Sequence, residues 1–194
     1  MTSRVLDVGC GNKKLAGAIG IDRVFLPNVD VVCDLDVLPL PFGDNTFGRI
    51  VCNHIVEHVE NLLDFMQEVH RVGEPGATVE IVTPHFTNRF SYTDPTHLRH
   101  LSLRSFDYFM PDESGGALKR NFFQRVFETQ YAVSEFSFYS TARFRKNSAH
   151  FSMARPFRLL GIAWLMNRCG DFYELYLAFM LPARDLYFRL QVIK

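Results

Sequence analysis

Three positions that follow short apolar runs have residue types suited to binding a ligand that contains a ribose. Gly9-Cys10-Gly11 follows the first run, Asp22 follows the second and Asp34 follows the third. Glycine lets the backbone approach a ligand closely and leaves amide N–H groups free to face it. The carboxylate of Asp22 can accept hydrogen bonds from both ribose hydroxyls, and that of Asp34 can accept one from an adenine amino group. Each position alone could be a tight turn or a solvated strand end, but three in order favour a ligand site.

A second group of residues could act on an acceptor molecule. His85 follows the fifth apolar run directly, and Asp94, His97 and His100 lie in the next loop. A base with a pKa near neutrality assists reaction at a hydroxyl or amine, so His85 and His97 are predicted to be catalytic. The alternative is a loop fixed by imidazole hydrogen bonds. These four side chains could also ligate a metal, but they lack tight ligand spacing, and no metal site is predicted.

The elements that must position these residues are typical of an α/β sheet. Short apolar runs closed by polar residues or glycine indicate buried parallel strands, and they occupy residues 4–8, 18–21, 29–33, 47–52 and 77–83. Residues 54–72 have apolar side chains at helical spacing, and Glu74-Pro75-Gly76 ends that pattern. Alternating strands and crossovers predict helices packed on the faces of a mostly parallel sheet.

The second half of the chain has a different pattern. A polar and aromatic loop is predicted over residues 85–100, followed by a short helix at 105–110, a strand or hairpin within 122–144, amphipathic helices at 156–168 and 172–182, and a final strand at 185–194. No internal repeat or linker divides the sequence. The prediction is one domain over residues 1–194, with a cofactor-binding half (1–84) and an acceptor side (85–194).

Composition and charge exclude several classes of protein. With 194 residues, 47% hydrophobic and 22% charged, the chain is globular rather than disordered. Lysine plus arginine equals aspartate plus glutamate, at 21 each, so no nucleic-acid partner is expected. The four cysteines form no CxxC pair and are expected to be small buried hydrophobes in a reducing cytoplasm. The N-terminus does not resemble a signal peptide.

The apolar region 154–190 raises the question of a membrane. No run within it reaches the roughly 18 uninterrupted apolar residues of a spanning helix, because charged residues interrupt it at Arg155, Arg158, Arg168, Asp171, Glu174, Arg184 and Asp185. No transmembrane segment is predicted. Association of the amphipathic helices with a membrane surface remains an alternative.

Four motifs in a fixed order resemble the class I S-adenosylmethionine-dependent methyltransferases. The segment V-L-D-V-G-C-G at 5–11 resembles their first motif, and L-P-F-G-D-N-T-F at 40–47 resembles the LPF-x-D-x-x-F segment before their fourth strand. Glu57-His58 resembles the E-H pair that opens the next helix. Glu68, Arg71-Val72 and Pro75-Gly76 resemble the E-x-x-R-V-x-x-P-G approach to strand five. The resemblance covers residues 5–84, and the chain is similar to a shortened bacterial form of the family.

This resemblance implies a fold, a cofactor and an activity. The fold is a Rossmann-like, mostly parallel sheet of about seven strands with helices on both faces; the cofactor is S-adenosylmethionine, and the activity is methyl transfer. In that family the glycine loop holds the methionine part, the acid after strand two holds the ribose, and residues after strand three meet adenine. The cofactor-binding residues that this implies are Asp7, Gly9, Cys10, Gly11, Asp22, Asp34 and Leu35, with Asn53 and His54 near the transferable methyl. His58 is expected to satisfy backbone groups.

The chain departs from the family pattern after its glycine loop. Only eight residues separate Gly11 from Gly20, whereas a parallel crossover normally takes about a dozen or more. The first crossover helix is therefore predicted to be one turn or absent. A nicotinamide oxidoreductase is disfavoured, because its GxGxxG loop opens a full helix and Lys14 stands at the last glycine position. A non-catalytic binder of S-adenosylmethionine remains an alternative, since fold does not establish function.

The acceptor and the oligomeric state follow from weaker signals. Residues 53–56 do not form the Asn/Asp-Pro-Pro-aromatic motif of base-amino methyltransferases, and together with the neutral charge this favours a small-molecule acceptor. The missing crossover helix leaves one face of the sheet poorly covered near strands one and two. We expect the apolar C-terminal helices, from this chain or from the second copy in a homodimer, to cover apolar surface of this kind.

Overall fold

A computed structural model describes residues 4–110 and 139–194. Seven strands in these residues form one sheet in the order β3-β2-β1-β4-β5-β7-β6. The strands are β1 (Val5–Val8), β2 (Ile19–Asp22), β3 (Val31–Val32), β4 (Phe47–Asn53), β5 (Gly73–Pro84), β6 (Arg143–Met153) and β7 (Ala183–Ile193). The first five are parallel, whereas β7 runs antiparallel to both β5 and β6. The predicted mostly parallel, seven-stranded α/β sheet is confirmed.

The central strands carry the core. Leu6 of β1 stands between Ile19 of β2 and Ile50 of β4 in the register of the sheet, and the side chains of Leu6 and Ile50 are fully buried. Strands buried on both faces require apolar residues in continuous runs, which explains why β1 and β4 were visible in the sequence. Because β1, β2 and β4 are parallel, their carboxyl ends lie at one edge of the sheet.

The helix between β4 and β5 is shorter than its apolar pattern. Helix α1 covers Leu62–Val72 and not the predicted 54–72, because Asn61 caps it by accepting hydrogen bonds from the N–H groups of Leu63 and Asp64. His54, at φ +51°, lies outside helical geometry. Residues 54–60 instead form a turn whose apolar side chains Val56 and Val59 are buried like those of a helix, so the spacing alone did not reveal the break.

The first crossover contains no helix, as predicted. Residues 9–18, all described, pass from β1 to β2 in turns. Apolar side chains near β2 and β3 are correspondingly exposed, among them Val24, Phe25 and Val32.

The C-terminal helices form shorter segments than predicted. They are α3 (Arg155–Leu159), α4 (Ile162–Arg168) and α5 (Gly170–Phe172), the last continuing into a π-helical turn at Tyr173–Leu177. Earlier in the chain, a short helix, α2 (Phe90–Thr93), lies within the loop predicted over residues 85–100, and the predicted helix at 105–110 is a 3-10 turn at Asp107–Phe109. Gly161, at φ +73°, separates α3 from α4, a left-handed conformation that glycine adopts without steric cost. The predicted final strand is confirmed as β7. The predicted hairpin within 122–144 lies mostly outside the described residues.

The C-terminal helices pack at the edge of the sheet opposite β3. The Asn167 side chain donates to the Phe151 carbonyl and accepts from its N–H, both at 2.9 Å, which fixes α4 on β6. Arg104 binds Asp171 through two hydrogen bonds of 2.7 and 2.6 Å. Within one chain these helices therefore do not lie over β1 and β2, and the expectation that they fill the gap left by the missing crossover helix is wrong for a single copy.

Candidate functional site

The glycine loop, residues 9–11, follows β1 at the carboxyl edge of the sheet. Gly9 has φ +66° and Gly11 has φ +49°, both in the left-handed region that favours glycine. The two glycines differ in what surrounds them. A Cβ on Gly9 would lie 2.6 Å from the Ile55 side chain, whereas a Cβ on Gly11 would meet no atom of the described residues within 4 Å. Gly9 is needed for packing, and Gly11 faces open space where a ligand could approach.

Asp22 connects the end of β2 to this loop. Its Oδ2 accepts a hydrogen bond from the Gly11 N–H at 2.9 Å, and its Oδ1 accepts one from the Val24 N–H at 3.0 Å. Each carboxylate oxygen can accept a further bond, and the side chain is only half-buried. Asp22 can therefore hold the loop and still receive the hydroxyl groups of a ligand.

Two other acids stabilise the shortened crossover. Asp7 is 4% exposed, and its Oδ2 accepts from the Leu15 N–H at 2.7 Å; burial raises the pKa of Asp7. Asp30 accepts from the Gly20 N–H at 2.7 Å and pairs with Lys14 at 2.7 Å. The pKa of Asp30 is lowered, first by the Gly20 bond and then by Lys14. Asp7, predicted to bind cofactor, is buried and stabilises the loop through its hydrogen bond with the Leu15 N–H.

The remaining predicted cofactor residues lie along the same edge. Asp34 is exposed and accepts from the Asp36 N–H at 3.1 Å, while Leu35 is buried beside it. Cys10 is buried within the loop, and burial raises the pKa of its thiol. Asn53 ends β4 with its side chain exposed.

His54 and Glu57 occupy the turn after β4. His54 adopts φ +51°, an uncommon conformation for a residue with a side chain. Its Nδ1 lies 3.3 Å from Glu57 Oε1, and its side chain is 52% exposed. The proximity of Glu57 raises the pKa of His54. Backbone strain of this kind clusters at functional sites.

The two predicted catalytic histidines lie in different environments. His85 is fully buried, and both its ring nitrogens are engaged, Nδ1 with Thr87 Oγ1 at 2.7 Å and Nε2 with Glu174 Oε1 at 3.2 Å. This arrangement joins β5 to the C-terminal π-helical turn. His97 has one nitrogen, Nδ1, 3.3 Å from the Ser91 carbonyl, and its side chain is 7% exposed.

His97 belongs to a cluster that the sequence analysis did not predict. One ring nitrogen each of His58 and His97 and one carboxylate oxygen of Glu57 lie within 4.8 Å of one another. Of the four residues considered as metal ligands from the sequence, His97 alone belongs to this cluster. The E-H pair at 57–58 was a visible signal, but nothing in the sequence linked it to a loop about 40 residues later.

The motif at 40–47 is held by Arg71. Its guanidinium donates to the carbonyls of Leu40 and Phe42, at 3.1 and 2.9 Å, and pairs with Glu68 and Asp44, each at 2.7 Å. Glu68 also accepts from the Leu40 N–H at 2.8 Å, and its pKa is lowered, first by Arg71. These contacts explain the E-x-x-R spacing as a structural device that fixes the segment before β4.

Comparison with known proteins gives one family match, over part of the chain, and many solved structures that share its fold. Residues 21–81 match a family described as a methyltransferase domain, a match that begins after the shortened crossover. No curated protein matches the chain in sequence. No helix in the described ranges is both long and apolar enough to cross a membrane.

Solved structures share the fold at low sequence identity. One is the (4+2)-cyclase SpnF, at 16% identity and a TM-score of 0.54, covering 98% of this chain and 74% of its own. Another is an S-adenosylmethionine-dependent methyltransferase from Mesorhizobium loti, at 13% identity and a TM-score of 0.52, covering 97% and 90%. A third is YcgJ from Bacillus subtilis, at 16% identity and a TM-score of 0.51, covering 99% and 92%.

Proposed function

We propose that this chain is a class I S-adenosylmethionine-dependent methyltransferase that binds S-adenosylmethionine and transfers its methyl group to a small-molecule acceptor. The observation that carries the proposal is the bond between Asp22 and Gly11 at the carboxyl edge of the sheet, beside open space at Gly11. In open α/β sheets, ligands bind in the crevice outside the carboxyl ends of the strands.

Each part of the cofactor can be assigned to residues along this edge by the groups they offer. Asp22 would receive the ribose hydroxyls, Asp34 and Leu35 would meet the adenine, and the backbone around Cys10 and Gly11 would hold the methionine part. Gly9 and Asp7 support that loop through Ile55 and the Leu15 N–H. Asn53 and His54 end the neighbouring strand, where we place the methyl donor's reactive end.

The chemistry needs alignment more than it needs a strong base. When bound, S-adenosylmethionine supplies an electrophilic methyl group. Holding an acceptor in line with such a group can provide much of the rate by proximity alone. We propose that His97 lies on the acceptor side, and that His85 acts through the position of its loop, because its two nitrogens are already engaged by Thr87 and Glu174.

The acceptor class follows from charge. Arginine and lysine do not exceed the acids, and a nucleic-acid substrate would favour a basic surface. We therefore propose a small molecule rather than a nucleic acid.

A second candidate function is cofactor binding without catalysis. The full burial of His85 favours it, because one of the two predicted catalytic bases cannot reach an acceptor in this conformation. Incubation with S-adenosylmethionine and a panel of small hydroxyl, amine and thiol acceptors separates the two. Formation of the demethylated product above the acceptor-free rate supports methyl transfer, whereas tight binding with no turnover across the panel supports the second function.

A further inference from the structure

We propose that Glu57, His58 and His97 form a binding site for one divalent first-row transition metal ion, such as Zn²⁺. Their ligand atoms lie within 4.8 Å of one another, so small side-chain movements bring all three to the roughly 2.0–2.2 Å of a bound zinc. His97 is also proposed to lie on the acceptor side, but the metal site depends only on the positions of these three side chains and does not rest on the proposed methyl transfer.

The hydrogen bonds of His58 fix which of its nitrogens is free. Thr96 Oγ1 lies 2.6 Å from Asp94 Oδ1 and 2.9 Å from His58 Nδ1. The carboxylate can only accept, so the threonine hydroxyl donates to Asp94 and accepts from the Nδ1–H of His58. The lone pair of the neutral imidazole is therefore on Nε2.

The same argument applies to His97. Its Nδ1 lies 3.3 Å from the Ser91 carbonyl, which can only accept a hydrogen bond. Its Nε2 is 3.9 Å from Asp94 Oδ2, too far for a hydrogen bond. Both histidines thus donate through Nδ1 and keep an Nε2 lone pair, and a metal-ligating histidine likewise donates its other ring N–H to a neighbouring acceptor.

Glu57 supplies an independent observation. Its side chain is 1% exposed, Oε2 accepts from Thr83 Oγ1 at 3.0 Å, and Oε1 has no aligned hydrogen-bond donor among the described residues. The Nδ1 atom of His54 lies 3.3 Å from Oε1, outside hydrogen-bond geometry. A buried carboxylate oxygen without a hydrogen bond is costly, and a metal ion would satisfy it.

The backbone around these ligands is fixed. The Leu98 N–H donates to the Glu57 carbonyl at 2.9 Å, and Arg99 donates to the carbonyls of Val59 and Glu60. These contacts hold the turn after β4 against the loop that carries His97. Two imidazoles and one carboxylate leave coordination positions open for water or for an oxygen atom of a ligand.

The test is titration of the full chain, stripped of metal with a chelator, with Co²⁺ and then Zn²⁺. We expect one Co²⁺ per chain, visible absorption bands of nitrogen and oxygen ligation, and displacement by Zn²⁺. The His97→Asn and His58→Asn variants should bind at least 10-fold more weakly. The matched control is His100→Asn, because His100 bonds Ser91 through Nδ1 outside the cluster, and it should bind like the wild type.

Three results would overturn the proposal: no Co²⁺ binding by the folded wild type, equal affinity in the His97→Asn variant, or intense near-ultraviolet bands of thiolate ligation, which would place the ion on cysteine. Because Glu57→Gln could disturb the buried core, the proposal is judged on the two histidine variants, with circular dichroism to confirm their folding.

Discussion

The Gly11 N–H donates to Asp22 Oδ2 at 2.9 Å, so the side chain proposed to hold the ribose also sets the position of the glycine loop. In a domain whose first crossover has no helix, the loop lacks the support that such a helix would give. Asp22, Asp7 and Asp30 replace part of it by accepting the N–H groups of Gly11, Leu15 and Gly20.

The first prediction concerns Gly11. Gly11→Ala should abolish or strongly weaken binding of S-adenosylmethionine, because the new methyl group enters the open space that the ligand would occupy. Gly17→Ala is the matched control, since Gly17 has φ +77° and equally free surroundings. Both variants carry a similar left-handed strain of about 1–2 kcal/mol. Calorimetry should find loss of binding only at position 11, and equal affinities in the two variants would remove Gly11 from the site.

The second prediction concerns stability and pH. Burial lowers the pKa of His70 below the usual 6.5 and outweighs the hydrogen bond to the Ile193 carbonyl, which raises it; Lys194 and Arg143 lower it further. Its Nε2 meets the Ile193 carbonyl at 2.7 Å. The unfolded chain therefore binds this proton more readily, and the free energy of unfolding should fall as the pH drops through 6.5, by at most about 1.4 kcal/mol per pH unit for one proton.

Denaturant unfolding of the wild type and of His70→Gln at pH 7.5 and 5.5 measures this effect. Glutamine keeps a donor for the Ile193 carbonyl but does not titrate, so the variant should lose less stability on acidification. An identical loss in both proteins would show that His70 does not contribute.

The third prediction concerns association of two copies. Leu159 on α3, Leu160 directly after it and Trp164 on α4 are 76%, 74% and 63% exposed, and burying each large apolar side chain contributes about 1.5–3 kcal/mol. Sedimentation should show a dimer of the wild type that Trp164→Glu weakens, while Phe25→Glu, at the opposite edge of the sheet, should not. A wild type that stays monomeric at high concentration contradicts homodimerisation, and binding to anionic vesicles would then assign the surface to a membrane.

Much of the fold was predictable because burial controls the sequence of parallel strands. The sequence predicted the bounds of β1, β2 and β4 to within one residue. It also predicted that the first crossover helix is missing, because only eight residues separate Gly11 from Gly20. The start of α1 was missed, since Val56 and Val59 are buried in a turn with the spacing of a helix.

The candidate site was less predictable because its partners are distant in sequence. Asp22 and Asp34 could be predicted from the local pattern, because each directly follows an apolar run. That prediction requires no knowledge of long-range contacts. The burial of His85 depends on Glu174, and the cluster at Glu57 depends on His97. A single sequence does not reveal such pairs.

The most direct test of the central claim is calorimetric titration of the purified chain with the demethylated product of S-adenosylmethionine. We predict one site per chain, weakened in Asp22→Ala by roughly 10- to 150-fold, the value of a charge-assisted hydrogen bond of about 1.5–3 kcal/mol. Asp22→Asn, which can still accept from Gly11, should lose less, and Asp64→Ala, on α1, should bind like the wild type. A folded wild type that binds neither this product nor S-adenosylmethionine, or an Asp22→Ala variant with unchanged Kd, would contradict the account.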